Sequence, residues 1–232
     1  MIAEGFDVKP VELLLARHKE HEGPYMQDFR GMQLAILPDV FNPAYTKVSG
    51  FLADNLIISP ESMVLEMFSG SGALSFIAAV KAKRIVGVDI SPQSVVCAKL
   101  NATKLGLSDK IDFRIADLWD GVDESEKFDA IIANPPLLPA TPENWLEMTV
   151  ADGPEMQTTV RFIQGCSSHL TDSGHVLMAF SNACGAYFAN PLEFIRRTVN
   201  ESGLSMQIRA EWDVGYEIYR ILEFRKKDIW QK

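Results

Sequence analysis

Residues 66–75 (Glu-Met-Phe-Ser-Gly-Ser-Gly-Ala-Leu-Ser) combine an acidic residue with two glycines at the predicted junction of a strand and a helix. Gly70 and Gly72 let the backbone approach a ligand closely, and the following helix N-terminus offers unpaired N–H groups. The dinucleotide-binding fingerprint has a third glycine or alanine where this sequence has Ser75. At the strand end, Glu66 would repel a pyrophosphate but could reach the ammonium group of a zwitterionic ligand. The segment therefore favours a zwitterionic ligand over a dinucleotide.

Two further acidic residues lie at the ends of the next two predicted strands. Asp89 follows Gly70 by 19 residues, close to the spacing of about 20 expected for a carboxylate that binds ribose hydroxyls. The alternative, that Asp89 caps the next helix, is weaker because Ser91 already occupies that place. Asp117 could meet an adenine amino group while Leu118 packs on the ring, although alone it would be an ordinary strand-end residue.

The fourth strand is predicted to end in Asn134-Pro135-Pro136-Leu137. Two prolines stiffen the backbone there and leave carbonyl oxygens without the usual neighbouring N–H donors. An Asn-Pro pair is also a common start of a turn, which is the simpler interpretation. However, polar residues follow four successive strands, and open parallel sheets bind ligands beyond the carboxyl ends of their strands. The sequence therefore predicts a ligand site at that edge.

Short apolar segments alternate with segments of helical period from about residue 61 onward, as in a parallel sheet covered by helices. The predicted strands are 63–68, 84–89, 110–116, 128–133 and 175–180. The predicted helices are 10–21, 43–55, 72–81, 92–105, 155–170 and 191–201. Segments 204–214 and 217–224 predict a terminal antiparallel hairpin. The predicted fold is a Rossmann-like, doubly wound α/β domain with a seven-stranded, mostly parallel sheet.

These residues together resemble a class I S-adenosylmethionine-dependent methyltransferase through segment 66–75, Asp89, Asp117 and residues 134–136. The resemblance extends from about residue 43 to the C-terminus, and that fold also has an antiparallel last strand. Within the class, Asn-Pro-Pro is similar to the HemK/PrmC-like group, which modifies amide or exocyclic amino nitrogens. Segments 40–46 and 151–155 resemble two further stretches of that group.

The resemblance implies S-adenosyl-L-methionine as the cofactor, no metal, and a role for each site residue. The catalytic residues would be Asn134 and Pro135. The cofactor would be bound by Thr46, Glu66, Phe68, Gly70, Gly72, Asp89, Ile90, Asp117, Leu118 and Asn134. The acceptor would be bound by Phe41, Tyr45, Pro136, Leu137 and Trp145. Residues 43–232 would form the methyltransferase domain, and a helix-and-loop appendage, residues 1–42, would cover the substrate.

The methyl acceptor is the least determined part of this prediction. The HemK/PrmC-like group usually has an aromatic residue where this chain has Leu137, and the long N-terminal docking domain of bacterial release-factor methyltransferases is absent from this sequence. We therefore expect a nitrogen of a small molecule or peptide as the acceptor. The alternatives are a protein glutamine of the release-factor type or an RNA or DNA amino group. An NAD-dependent oxidoreductase is disfavoured by Glu66, Ser75 and Asn-Pro-Pro.

Composition narrows the class of protein further. The chain has 232 residues and a formal net charge of −9, so it would steer poorly toward nucleic acid. Signal-peptide and membrane-span patterns are not recognisable, and three widely spaced cysteines suggest a reducing compartment, so we expect a cytoplasmic protein. The oligomeric state is left open. His18 and His21 are predicted on a solvated helix face, and His169 and His175 at the surface.

Overall fold

The computed structural model describes residues 9–153, 155–182, 184, 190–215 and 217–227. Its strands are β1 (Tyr25–Phe29), β2 (Met32–Ile36), β3 (Met63–Met67), β4 (Arg84–Asp89), β5 (Ile111–Ile115), β6 (Phe128–Ala133), β7 (Leu170–Ser181), β8 (Leu204–Asp213) and β9 (Ile218–Lys226). β1 and β2 form a separate hairpin, and the others form one sheet in the order β5-β4-β3-β6-β7-β9-β8.

The predicted doubly wound sheet is confirmed. Strands β3 to β7 are parallel to one another, whereas β9 runs antiparallel between β7 and β8. The middle residues Leu65, Val86 and Ile131 are fully buried because helices cover both faces. β3 lies between β4 and β6, so the chain reverses its order there. A crevice opens at such a point, beyond the carboxyl ends of the strands.

Seven helices lie in the described residues: α1 (Lys9–Lys19), α2 (Lys47–Asp54), α3 (Ala73–Ala78), α4 (Pro92–Lys104), α5 (Trp145–Met148), α6 (Gln157–His169) and α7 (Pro191–Glu201). α4 begins as predicted, with Pro92 in its first turn and the Ser91 hydroxyl accepting from the Ser94 N–H at 3.2 Å. In the part of the chain that the structure describes, no helix has the length and apolar character to cross a membrane.

The predicted helix 43–55 is two elements. A 3₁₀ turn, Pro43–Tyr45, is capped by the Asn42 side chain, which accepts from the Ala44 N–H at 3.0 Å. Thr46 is then extended, with φ −123°, and acts as the N-cap of α2. The break places Thr46 and the first turn of α2 beside the sheet edge that carries the predicted site.

The N-terminal region contains a hairpin that the sequence did not reveal. β1 was predicted as loop, but Arg30 and Gly31 both have positive φ and close a two-residue turn between β1 and β2. Leu34 is fully buried in the same core as the sheet. Asn101 of α4 accepts from the Ala35 N–H at 2.7 Å and donates to its carbonyl oxygen at 2.9 Å. This hairpin is therefore anchored to the hydrophobic core of the sheet.

Three of the four histidines are buried, so their predicted exposure is wrong. His18 stacks on Phe41 with ring centroids 5.5 Å apart, and its Nε2 accepts from the Asn42 N–H at 2.9 Å. His169 stacks on Trp119, and His175 contacts the Ile57 carbonyl oxygen at 3.0 Å. Each ring supplies apolar faces and at least one hydrogen-bonded nitrogen, and in His18 both are bonded because Nδ1 also contacts the Leu14 carbonyl oxygen at 2.8 Å. This is how an intermediate residue type becomes buried. The three cysteines are also buried.

Candidate active site

A cavity of about 720 Å³ lies beyond the carboxyl ends of β3, β4 and β6. All of the predicted site residues except Gly72 line it: Phe41, Tyr45, Thr46, Glu66, Phe68, Gly70, Asp89, Ile90, Asp117, Leu118, Asn134, Pro135, Pro136, Leu137 and Trp145. The volume is that of a typical small-molecule site. The structure thus brings together residues that are far apart in sequence.

Two hydrogen bonds fix the glycine turn between β3 and α3, one to Asp89 and one within the turn. The Gly70 N–H donates to Asp89 Oδ2 at 2.8 Å, and the Gly72 N–H donates to the Ser69 carbonyl oxygen at 2.7 Å. A Cβ built on Gly70 meets nothing within 4 Å, whereas one on Gly72 lies 2.7 Å from the Phe76 ring and 2.8 Å from the Phe113 ring. Gly72 faces the hydrophobic core, so this geometry does not support its predicted cofactor contact.

Because the two glycines have different surroundings, we expect replacement by alanine to lower the free energy of unfolding by different amounts at the two positions. Both have positive φ, so alanine costs about 1–2 kcal/mol at either position. Gly72→Ala adds overpacking against two rings, which raises its total cost to roughly 2–5 kcal/mol. Urea unfolding should therefore show a larger loss for Gly72→Ala than for Gly70→Ala. Equal losses would contradict the inward orientation of Gly72.

Glu66 is a buried carboxyl group at the end of β3. One oxygen accepts from the Ser75 N–H at 2.8 Å and also from the Ser75 hydroxyl. Burial raises the pKa of Glu66 from its ordinary value of 4.5 to about 8, and the nearby Asp89 carboxylate adds to that rise. A group in this state is neutral near pH 7 and would ionise beside a bound cation.

Asp89 and Asp117 both face the cavity but have different partners. Asp89 accepts from the Gly70 N–H and, at 2.9 Å, from the Ser91 N–H, while burial raises its pKa. Asp117 forms a half-exposed ion pair with Arg161 of α6 at 2.9 Å. Asp89 therefore connects the glycine turn to the residues before α4, and Asp117 lies at a more open part of the cavity.

Two non-glycine residues in the cavity wall have a left-handed backbone. Phe68 has φ 63° and Leu118 has φ 52°. Such a conformation costs a non-glycine residue of the order of 1–3 kcal/mol and tends to occur at functional sites. Phe68 also packs edge-on against Phe162, with ring centroids 5.7 Å apart. Both side chains line the cavity, and the packing against Phe162 offsets part of this cost at Phe68.

Asn134 is the polar side chain at the end of β6. Its Nδ2 donates to the Ser49 hydroxyl at 3.1 Å. Its Oδ1 is buried and has no hydrogen-bond partner in the protein, and the same holds for the hydroxyl of Ser69 in the glycine turn. Buried polar atoms are normally paired, so both atoms indicate where a bound ligand would supply the missing partners.

The segment after Pro136 folds over the cavity instead of forming an open loop. The N–H groups of Leu137 and Leu138 donate to the Val150 carbonyl oxygen at 3.0 and 2.8 Å. Asp152 accepts from the Thr158 N–H at 2.7 Å and the Thr159 N–H at 2.9 Å, which caps α6. Trp145, on α5 between these anchors, lines the cavity and is 46 % exposed.

The N-terminal appendage contacts the cavity through aromatic residues. His18 lies against Phe41 and, with ring centroids 4.9 Å apart, edge-on to Tyr45. The Arg17 guanidinium lies 3.9 Å from the Tyr45 ring centroid. Leu14 of α1 is itself part of the cavity wall. The appendage thus fixes the two aromatic residues that were predicted to meet the acceptor.

The structure adds cavity residues that sequence reasoning missed: Ser49, Ser69, Arg161, Glu217 and Tyr219. Glu217 accepts from the hydroxyls of Ser181 and, at 2.7 Å, Tyr219. Ser69 lies within the recognised glycine turn, so its position was an available signal. The others reach the cavity only through tertiary packing, and their sequence neighbours carry no motif.

The polar and apolar side chains that line the cavity fit S-adenosyl-L-methionine. Carboxyl groups suit its ammonium, ribose hydroxyl and adenine amino groups, and the open space at Gly70 leaves room for it. Apolar Phe68, Ile90 and Leu118 suit a flat ring. Among the described residues, no group of three or more His, Cys, Asp or Glu side chains could hold a metal ion.

Comparisons with known proteins agree with this site. The chain matches a family model described as a methyltransferase domain over residues 58–224. It is 31 % identical over 201 residues to a Methanocaldococcus jannaschii protein named as a candidate protein N5-glutamine methyltransferase, covering 82 % of this chain and 93 % of that one. It is 29 % identical over 150 residues to a release factor glutamine methyltransferase of Rhodopirellula baltica, covering 60 % of this chain and 49 % of that one.

A solved structure is similar in fold. The ribosomal protein L11 methylase of Lactobacillus delbrueckii subsp. bulgaricus superposes with a TM-score of 0.58 and 22 % identity, covering 87 % of this chain and 99 % of that one. The chain spans nearly all of the archaeal relative but about half of the Rhodopirellula enzyme. From the matched family model and the archaeal relative, the chain belongs to the methyltransferase domain family, as an S-adenosyl-L-methionine-dependent N-methyltransferase.

Proposed function

We propose that the protein methylates the side-chain amide nitrogen of a glutamine presented by a peptide or protein. The observation that carries this proposal is Asn134, which lines the cavity and whose buried Oδ1 has no hydrogen-bond partner in the protein. An amide NH₂ group is a donor that can satisfy it. Two relatives named as glutamine methyltransferases support the choice of glutamine over other nitrogen acceptors.

The cofactor end of the cavity is assigned to the glycine turn and the strand-end acids. We assign the ammonium group to Glu66, the ribose hydroxyls to Asp89 and the adenine amino group to Asp117. Thr46, Phe68, Gly70, Ile90 and Leu118 would complete the contacts. The bound cofactor supplies an electrophilic methyl group and a neutral thioether leaving group, so the protein needs no metal and no covalent intermediate.

The chemical task of the protein is to prepare the amide nitrogen. The lone pair of an amide is delocalised and is a weak nucleophile. Asn134 Oδ1 and the Pro135 carbonyl oxygen would accept the two N–H bonds, which turns the lone pair toward the methyl group. These oxygens would also stabilise the positive charge that develops on the nitrogen. After the transfer, the methylated nitrogen is strongly acidic and loses one of its two protons to water, which leaves the neutral N-methyl amide. Holding the reactants in line can supply several kcal/mol, up to about 7–11 kcal/mol in model systems.

The acceptor end of the cavity would be closed by apolar side chains. Pro136, Leu137 and Trp145 come from the segment after β6. Phe41 and Tyr45 come from the segment that packs against His18 of α1. A glutamine amide is small and flat, so aliphatic Leu137 could cover it without an aromatic ring. In this proposal, residues 1–42 cover the substrate and residues 43–232 form the methyltransferase domain.

Paired peptides test the proposed acceptor. Two blocked alanine-rich peptides, identical except for one central glutamine or glutamate, would be incubated with the protein and S-adenosyl-L-methionine. We expect the glutamine peptide alone to gain the mass of one methyl group, with fragmentation placing it on the side-chain amide. Methylation of a small metabolite, with no glutamine-containing peptide or protein accepted, would refute the proposal in favour of a small-molecule acceptor.

Cofactor binding should release a proton from Glu66. With a pKa of about 8, Glu66 is mostly protonated at pH 7, and a bound ammonium group would favour its ionised form. We expect proton release at pH 7 that fades as the pH rises above about 8. Calorimetry in two buffers of different ionisation enthalpy measures it directly. Glu66→Gln is the control, and unchanged proton release in that variant would contradict the assignment.

The same pKa shift affects the folding stability of the ligand-free protein. Because the folded-state pKa lies above 4.5, the contribution of Glu66 to the unfolding free energy is complete below pH 4.5. That contribution declines as the pH rises toward 8 and is lost above it. Bound cofactor should reduce this loss of unfolding free energy with rising pH, because its ammonium group would stabilise the ionised form of Glu66.

A further inference from the structure

The side-chain amide of Asn134 is partnered on one side only. Nδ2 donates to the hydroxyl of Ser49, a residue of α2 that is 1 % exposed, while Oδ1 has no partner. An asparagine amide has nearly the same shape when it is turned by 180°, so packing alone would not distinguish the two orientations. In one of them Oδ1 is the atom turned away from Ser49, and in the other the NH₂ group is.

A second hydroxyl decides between these orientations. Ser49 Oγ lies 3.3 Å from Thr46 Oγ1, at the N-cap of α2. The Thr46 side chain makes no hydrogen bond to the N–H groups of α2, but the partial positive charge at that helix end favours the lone pairs of its oxygen over its hydroxyl hydrogen. Thr46 then accepts the single hydrogen of Ser49. Ser49 is left with only lone pairs toward Asn134, and these require a donor, which is Nδ2.

We propose that Ser49 and Thr46 form a hydroxyl relay that fixes Asn134 with Nδ2 in the protein and Oδ1 facing the acceptor. Ser49 is thus a positioning residue that acts through Asn134. The relay makes the site an acceptor of hydrogen bonds, so it admits an N–H-bearing group and repels a carboxylate. This inference rests on the proposed function for its consequence in catalysis, but the orientation of Asn134 can be measured separately.

The direct test compares Ser49→Thr with Ser49→Val. The two replacement side chains have the same shape and differ in the hydroxyl, so any strain is common to both. In protein labelled with ¹⁵N at asparagine, the Asn134 side-chain signal is identified by its loss in Asn134→Asp. We expect its Nδ2 hydrogens to exchange with solvent about tenfold faster in Ser49→Val, as for the loss of one hydrogen bond. Equal exchange rates in the two variants would overturn the relay.

Thr46→Val gives a second test at a position that is only half-buried. Without Thr46 Oγ1, the Ser49 hydroxyl can donate to Asn134 Oδ1 and turn the amide around. We expect faster exchange of the Asn134 Nδ2 hydrogens than in Thr46→Ser, which keeps the hydroxyl. Identical rates in these two variants would show that Thr46 does not direct Ser49.

The paired glutamine and glutamate peptides provide a readout that a purely structural role would not move. Turnover of the glutamine peptide should fall about tenfold in Ser49→Val relative to Ser49→Thr, while the glutamate peptide should become a better inhibitor because a turned NH₂ group can donate to it. If Ser49→Val weakened turnover of the glutamine peptide and inhibition by the glutamate peptide to the same extent, the role of Ser49 in specificity would be overturned. If the wild-type protein does not methylate the glutamine peptide, the proposed function fails, whereas hydrogen exchange still decides the relay.

Discussion

Replacing Asn134 with alanine is expected to lower turnover about 10²–10³-fold, the usual effect of removing one preorganised group that stabilises developing charge. Its Oδ1 is buried and has no partner in the protein, and Asn134 lines the cavity, so we expect the acceptor to supply the missing hydrogen bond. The interaction should matter more in the transition state than in the ground state. The affinity for S-adenosyl-L-methionine should therefore change little, which calorimetry and steady-state kinetics would separate.

Two further variants show whether a loss of turnover in Asn134→Ala is specific to this position and to the lost acceptor oxygen. Asn200→Ala is a matched control, because Asn200 is an exposed residue of α7 outside the cavity wall, and it should retain wild-type turnover. Asn134→Asp keeps an acceptor oxygen toward the cavity and should retain more turnover than Asn134→Ala. Full turnover in Asn134→Ala would show that this residue does not orient the acceptor.

Replacing Asp89 with alanine is expected to weaken cofactor binding by at least about 10²-fold. Two hydrogen bonds from ribose hydroxyls to a carboxylate would be lost, each contributing about 1.5–3 kcal/mol. Asp89 also accepts from the Gly70 and Ser91 N–H groups, so its loss would loosen the glycine turn as well. Calorimetric titration with the demethylated cofactor measures the affinity without turnover.

The Asp89 prediction needs variants that separate ligand binding from folding. Asp109→Ala removes an exposed aspartate outside the cavity wall and should leave the affinity unchanged. Asp89→Asn keeps one acceptor oxygen and should lose less affinity than Asp89→Ala. If Asp89→Ala binds the cofactor as tightly as Asp109→Ala does, the assignment of the ribose to Asp89 is wrong.

The sequence predicts the central strands well because they are buried on both faces. Segment 128–133 is nearly continuously apolar, and it forms β6 with the predicted bounds. Ser91 and Pro92 likewise mark the start of α4 through capping chemistry that is local in sequence. The site residues at strand ends were predictable for the same reason, since parallel strands bring their carboxyl ends to one edge.

Features that depend on tertiary contacts were not predictable from the sequence. The inward orientation of Gly72 depends on Phe113, which belongs to another strand. His18 is buried because Asn42 and Phe41 fold onto it. Ser49 contacts Asn134 across 85 residues of sequence. None of these pairings has a spacing or composition that a single sequence could reveal.

Transfer of the methyl group to a glutamine amide in a protein or peptide can be followed in a cell extract. The most direct measurement adds the wild-type protein and a methyl-labelled cofactor to a cell extract, with Asn134→Ala as the parallel control. The extract is then separated into protein, nucleic acid and small metabolites, and labelled protein is mapped by fragmentation. We expect label in protein, placed on glutamine side-chain nitrogen and absent with Asn134→Ala. Label confined to nucleic acid or small metabolites would contradict it.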